Sequence, residues 1–195
     1  MSHARMLTAA LFCFTCTGAT LSAPAQAADY QIDRKGMHAF IEFRIQHLGY
    51  SWLYGRFNDF NGTFSWDRGA PEKSKAQVTI QTSSVDTNHT ERDNHLRGDD
   101  FLNSKKHPQA TFASQRATPT EAGFVLEGEL SLNGVVRPVR IQVQPIGEGP
   151  DPWGGYRAGF IGTTKLKLRD FGIDYELGPA SREVELTLSI EGVRQ

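Results

Sequence analysis

The sequence predicts a single all-β domain, a barrel or a sandwich of antiparallel strands, and three observations lead to it. Beyond residue 27 the dominant hydrophobic period is two, the mark of strands with one buried face. Turn chemistry suited to antiparallel neighbours separates the alternating segments. No apolar stripe at helical spacing matches these segments in length, and no repeat or linker divides the chain.

The first residues, MSHARMLTAALFCFTCTGATLSAPAQA, have a basic start at His3 and Arg5, an apolar run from Leu7 to Leu21, and small residues at Ala25 and Ala27. This is the pattern of a secretory signal, so residues 1–27 are expected to be cleaved and residues 28–195 to form the mature domain. The apolar run is interrupted and too short for a bilayer, which takes roughly 20 mainly apolar residues. Both cysteines, Cys13 and Cys16, lie in the removed segment, so the exported form is expected to enter an oxidising compartment without disulfides, held together by its core. Net charge falls from −1 to −2 when Arg5 leaves, with Lys and Arg scattered, which argues against nucleic acid as a partner.

In HAFIEFRIQHL, Ala39, Ile41, Phe43 and Ile45 share one face, with Phe40 the exception. Phe60, Gly62, Phe64 and Trp66 alternate through Asn61-Gly62, which reads either as a turn or as a bend in one strand. Val78, Ile80 and Thr82 alternate next. Phe124, Leu126, Gly128, Leu130 and Leu132 form another strand, joined through Asn133-Gly134 to Val135, Val139, Ile141 and Val143. Asn-Gly is the preferred pair for a type I′ hairpin turn. PIGEGPDPWGG, residues 145–155, reads as a breaker cluster. Val184, Leu186, Leu188 and Ile190 close the chain. Strands of about ten residues, tilted near 40°, would build a barrel roughly 25 Å tall.

NHTERDNHLRGDDF, residues 88–101, is the polar exception. Asn88 followed three residues later by Glu91 fits a capping box, and Gly98 suits a stop, so 89–97 reads as a short helix, with Asp99 capping a further turn that carries Phe101 and Leu102. His89 and Asp93, and Glu91 and His95, are each four apart and would share a helix face. A zinc site needs three or four protein ligands and HExxH is absent, so a capped, solvated helix is the expectation and a metal site is not. No nucleophile elbow, phosphate-cradling loop or catalytic cysteine appears in the mature chain.

The segments ADYQID, HAFIEFRIQHLGYSWLYGRF, SVDTNHTERDNHLRGDDFLNSKKHPQATF, LEGELSLNGVVRPV, DPWGGYRAGF and RDFGIDYELGPASREVELTLSIEG together resemble the YceI-like family over the whole mature chain. That resemblance implies a lipocalin-like antiparallel β-barrel of about eight strands with a short helical insertion near residues 89–103. It also implies a base-inducible periplasmic protein of the stress-response kind, commonly a homodimer. Such a protein holds a long-chain polyisoprenoid lipid, of the octaprenylphenol or ubiquinone-precursor type, with no enzymatic activity and no required cofactor.

Apolar parity nominates Phe43, Ile45, Phe64, Phe112, Leu126, Leu130, Ile141, Leu166, Leu186 and Leu188 for the lumen, each readable equally as ordinary core. Leu48, Trp52, Leu53, Phe101, Phe171 and Ile173 lie in or beside irregular segments and are nominated for the mouth. Two other readings stand beside lipid binding. One is an enzyme on a small apolar substrate using His47, His95 or Asp93 as acid or base. The other is a partner-binding β-sandwich with an exposed apolar patch.

Intact mass of the secreted protein is expected to place its first residue at Ala28 or within a residue of it. A start upstream of Cys16 would contradict both the cleavage point and the cysteine-free mature chain.

Overall fold

The structure, a computed structural model, describes residues 27–175 and 177–195; apart from Ala27, the expected signal segment lies outside the described residues. The alternating segments become β1 (Ala28–Ile32), β2 (Phe40–His47), β3 (Ser51–Phe57), β4 (Phe60–Trp66), β5 (Lys75–Gln81) and β6 (Val85–Asp86). After the helix α1 (Thr90–Arg97) come β7 (Gln109–Thr120), β8 (Gly123–Leu132), β9 (Val135–Pro150), β10 (Tyr156–Lys167) and β11 (Glu183–Arg194). Every pairing is antiparallel. The order β1-β4-β5-β7-β8-β9-β10-β11 returns to β1, which also pairs with β11, so eight strands close a barrel and the sandwich alternative falls.

Closure is uneven along the axis. At one end β1 bridges β4 and β11, with Tyr30 opposite both Phe64 and Arg194. Further along, β11 pairs with β2 instead, β2 with β3, and β3 with the two residues of β6. There the ring is completed by the segment from 82 to 108, which contains α1. The helix carries few apolar residues and is held by polar ties. Thr87 donates to Asp93 Oδ1 from its N–H at 2.9 Å and its hydroxyl at 2.5 Å, and Arg97 donates to the Ser83 and Val85 carbonyls at 2.7 and 2.8 Å.

Asn133 and Gly134 take φ of +50° and +75°, as the type I′ turn requires. Asn61-Gly62 lies within β4, so the single-strand reading holds. Two expectations are corrected. Asn88 does not cap α1: its N–H donates to Asp86 Oδ1 at 2.9 Å and its φ is +60°, so the N-cap is His89, whose Nδ1 accepts the Arg92 N–H at 3.2 Å. Residues 145–150 are not a breaker but the end of β9, and the turn begins only at Asp151. Gly159 pairs with Gly147 and Phe160 with Pro145, which leaves Ile146 as the extra residue of a bulge. Because β8 stops pairing at Val143, Pro145 lies where β9 is an edge and no ladder donor is lost.

Near the closed end Arg157 gathers three carboxylates. Its Nη1 donates to Asp33 and Glu191 at 2.5 and 2.6 Å and its Nε to Asp151 at 2.9 Å. Burial alone would raise the Asp33 pKa, but the hydrogen bonds from Arg157, the Gly36 N–H and His38 outweigh it and hold the carboxyl at about 2, below its ordinary 3.8. A depressed folded-state value stabilises the fold fully above the unfolded value, and that stability is lost as pH falls through the folded one. The magnitude is about 2 kcal/mol at ~1.4 kcal/mol per unit. Asp33→Asn is therefore expected to be less stable than wild type at neutral pH by about that amount, the gap closing between about pH 4 and pH 2. Urea titrations of both proteins across this window check it, and parallel stability curves would show that Asp33 carries no such linkage.

Candidate functional site

Period-two alternation puts one face of every barrel strand inside, and those faces are almost wholly apolar. They enclose two adjoining cavities, an inner one of about 140 Å³ and an outer one of about 380 Å³. Ile80, Leu130, Leu166 and Leu186 line both and so form the neck between them. The outer volume falls within the usual range of ligand pockets.

At the closed end, rings pack across the barrel. Tyr30 stacks on Phe64 at 4.9 Å, and Phe160 stands edge-on to Phe64 at 5.3 Å and to Trp66 at 5.0 Å, with Phe124 stacked on Trp66 at 5.6 Å. Trp66 Nε1 donates to Glu148 at 2.6 Å, which satisfies the indole at the rim of this floor. The outer cavity reaches the surface beside His47, Tyr175 and Leu177. The lumen thus has an aromatic floor and a mouth at the helix end.

Of the residues nominated by parity, Phe64, Phe112, Leu126, Ile141 and Leu188 line the inner cavity, Phe43 and Ile45 the outer one, and Leu130, Leu166 and Leu186 the neck. Among the mouth nominations, Leu53, Phe101 and Ile173 line the outer cavity. Three do not line the lumen. Leu48 sits exposed in the β2–β3 turn, and Trp52 lies on the outer face of β3, where the Arg44 guanidinium covers its ring at 4.3 Å. Phe171 is buried in the core and faces a groove between β9 and β10 instead. That groove exists because β9 and β10 cease to pair beyond Gln142 and Thr163, although each continues with its other neighbour.

Sequence reasoning placed Trp66 and Phe124 on alternating strand faces without nominating them for the lumen, and passed over Phe160, although the alternation Ala158, Phe160, Gly162, Leu166 was there to be read. It also passed over Tyr175, whose loop gives no periodic signal. Gly55 explains how Phe43 reaches the lumen wall: the Phe43 ring lies over it, and a Cβ there would stand 2.3 Å from Phe43 Cζ.

The polar groups at the cavity are few. In the outer compartment, Arg92 donates from Nε and Nη2 to the Thr87 hydroxyl and carbonyl, both at 2.7 Å. His95 Nε2 lies 3.0 Å from Asp100 Oδ2, and its ring stands edge-on to Phe101 and Tyr175 at 5.0 and 5.1 Å. Asp93 lines neither cavity and accepts from Thr87. No hydrogen bond joins His47, His95 and Asp93, so the residues named for acid–base chemistry form no relay. In the inner compartment the buried Ser74 hydroxyl has no hydrogen-bond partner. Among the described residues, Asp33, His38 and Glu191 bring ligand atoms within 4.8 Å of one another, but Arg157 already binds the two carboxylates.

Comparison with known proteins agrees with this geometry. Residues 30–192 match the YceI-like domain. Protein YceI of Escherichia coli is 58% identical over 171 residues, covering 88% of this chain and 90% of that one. Among solved structures, the Campylobacter jejuni YCEI protein superposes with a TM-score of 0.70 at 28% identity, over 77% of this chain and 90% of that one. A polyisoprenoid binding domain from Saccharophagus degradans shares the fold, with a TM-score of 0.63 at 17% identity over 87% of this chain and all (100%) of that one. An eight-stranded barrel with one helix, an apolar lumen and a match over nearly the whole described chain place this protein in the YceI-like family.

Proposed function

We propose that the protein binds a long, slender lipid of the polyisoprenoid class in its lumen and stores or carries it in the periplasm. The observation that carries this reading is the pair of adjoining apolar cavities along the barrel, floored by aromatic rings and open at the helix end. Each methylene moved from water into such a lumen contributes ~0.8 kcal/mol, so a prenyl chain strongly prefers it to water. The preference over a membrane is small, which suits a carrier that must release what it takes up. The Saccharophagus degradans neighbour is named as a polyisoprenoid binding domain, and the relationship to YceI proteins supports the same class here. Octaprenylphenol or a ubiquinone precursor is the specific candidate. A secretory leader on the sequence supports the compartment.

The structure favours binding over turnover. Catalysis needs convergent groups at a reacting atom, whereas His95, Arg92 and Asp93 are each committed to local partners.

Mass spectrometry of organic extracts from protein purified from its own host is expected to find a prenyl lipid. Leu130→Trp fills the neck shared by both cavities without introducing a charge. This variant is expected to remain folded by circular dichroism, at a cost of about 1–3 kcal/mol, and to retain less than about a tenth of the wild-type lipid. Full lipid content in the folded variant, or none in the wild type, would remove the basis for this reading.

A further inference from the structure

Large side chains stand exposed at and beside the mouth, of which Tyr175 and Leu177 also line the outer cavity. Leu48, Tyr50, Trp52 and Tyr54 lie on the β2–β3 hairpin, and Tyr175 and Leu177 lie on the segment beside it at the opening. All six are exposed, Tyr50 at the hairpin tip to 86% and Tyr54 to 62%. The turn holds Leu48 at φ +53°, a backbone conformation that disfavours such a side chain, so its projection is imposed by the local fold. The two segments are tied together, because the Ser181 hydroxyl donates to the Gln46 carbonyl at 2.6 Å while the Ser181 N–H donates to Gly178. Leu48 and Tyr50 at the hairpin tip therefore stand beside Tyr175 and Leu177 at the opening, and Trp52 and Tyr54 continue this exposed strip down the outer face of β3.

The outer wall next to this strip carries more basic than acidic side chains around one groove, with Arg44 and Lys165 paired to Glu185 at 2.6 and 2.7 Å. Cross-strand register sets Lys165, Glu185, Arg44 and Tyr54 in one row over β10, β11, β2 and β3. Arg44 stands over Trp52, and the adjoining groove between β9 and β10 is lined by Arg44, Arg137, Arg140, Lys165 and Lys167 against Asp170 and Glu185. Tyrosine and tryptophan rings at a hydrated edge, with Arg and Lys heads behind them, are the chemistry of residues that settle at the bilayer interface and meet anionic headgroups. A second copy of this chain fits less well. A two-fold contact through this face would set the cationic excess of the groove against itself.

We propose that the mouth rim is a membrane-docking surface, which seats the open end of the barrel on an anionic phospholipid bilayer so that the lipid guest passes between bilayer and lumen without crossing water. The proposal rests on the lumen holding a lipid, as argued above. It adds where exchange takes place, which residues make the contact, and why the apolar rim is not covered in the free protein.

The test is co-sedimentation with vesicles of phosphatidylethanolamine and phosphatidylglycerol, compared with vesicles of phosphatidylcholine alone, with cavity content measured in parallel by extraction and mass spectrometry. The double variant Tyr50→Ser with Tyr54→Ser changes two exposed residues that line neither cavity. Wild type is expected to sediment with the anionic vesicles and the double variant to bind them about tenfold more weakly, with equal lipid in both proteins. Equal vesicle binding by the two proteins, or none by wild type at low salt, overturns the proposal. So does sedimentation equilibrium that shows a wild-type dimer converted to monomer by the variant, which would assign the rim to a second copy. Rim-dependent vesicle binding by a protein whose extracts hold no lipid would uphold docking and reject the lipid reading of the lumen, so the two failures are distinguishable.

Discussion

Closure of the barrel rests on five residues. Strand β1 is the shortest of the ring and the one element that joins β4 to β11, so the hydrogen bonds it makes on both edges convert an open, twisted sheet into a tube. A tube leaves little free sheet edge to aggregate, but it fixes an interior whose size follows from strand number and tilt and not from the side chains available to fill it. At the β1 end the aromatic rings fill that interior. Beyond Ile32 the chain loops out and continues along the same edge of β11 as β2, and the interior there is only partly filled. The floor and the mouth are two consequences of one short strand.

The charged residues serve this geometry. Arg157 stands at the closed end on a strand bonded to β11, and reaches Asp33 in the segment just after β1, so an ion network fastens the chain where it leaves the wall. Desolvation makes such a network costly, and it is offset because the two buried carboxylates are also met by backbone hydrogen bonds, Asp33 by the Gly36 N–H and Asp151 by the N–H groups of Trp153 and Gly155. The dense polar stretch from Asn88 to Phe101 has a related purpose. Its arginines and Asp93 satisfy backbone carbonyls and hydroxyls of residues 83–87, which lets a helix of low apolar content close the side of the barrel that strands leave open.

The wall of the lumen was legible because parity is a local property: once Phe43 or Leu130 is known to be in a strand, the face it shares with its alternate neighbours follows. Parity does not say which of the inward residues meets another side chain and which meets a void, since that depends on how the strands cross in space. The errors arose where two local motifs competed. Asn88 and Glu91 have capping-box spacing, yet an Asx turn on Asp86 captures the Asn88 N–H first and passes the cap to His89. Pro145, Gly147 and Gly149 read as breakers, but a strand that has lost one neighbour can carry them in a bulge. Trp52 was placed at the mouth as an apolar residue near a loop. It is near the mouth but on the outside, a distinction set by one residue of register.

The same apolarity that makes the lumen attractive to hydrocarbon makes it a poor judge of which hydrocarbon is present. Transfer free energy grows by a nearly constant increment per methylene whatever the chain, so the inner wall ranks guests by length and says little about identity. Discrimination has to come from the two places where the cavity departs from a uniform apolar tube. Ile80, Leu130, Leu166 and Leu186 stand between the two cavities, so a guest that occupies both must be slender enough to pass them. The mouth sets His47, His95, Arg92 and Tyr175 beside the opening, where a polar end group can keep its hydration or exchange it for theirs. A guest with a slender apolar tail and a compact polar head satisfies both constraints in one orientation, tail toward the aromatic floor. In that orientation the end that must leave last is the one the floor holds most deeply, so release begins at the head, at the surface where the rim residues stand.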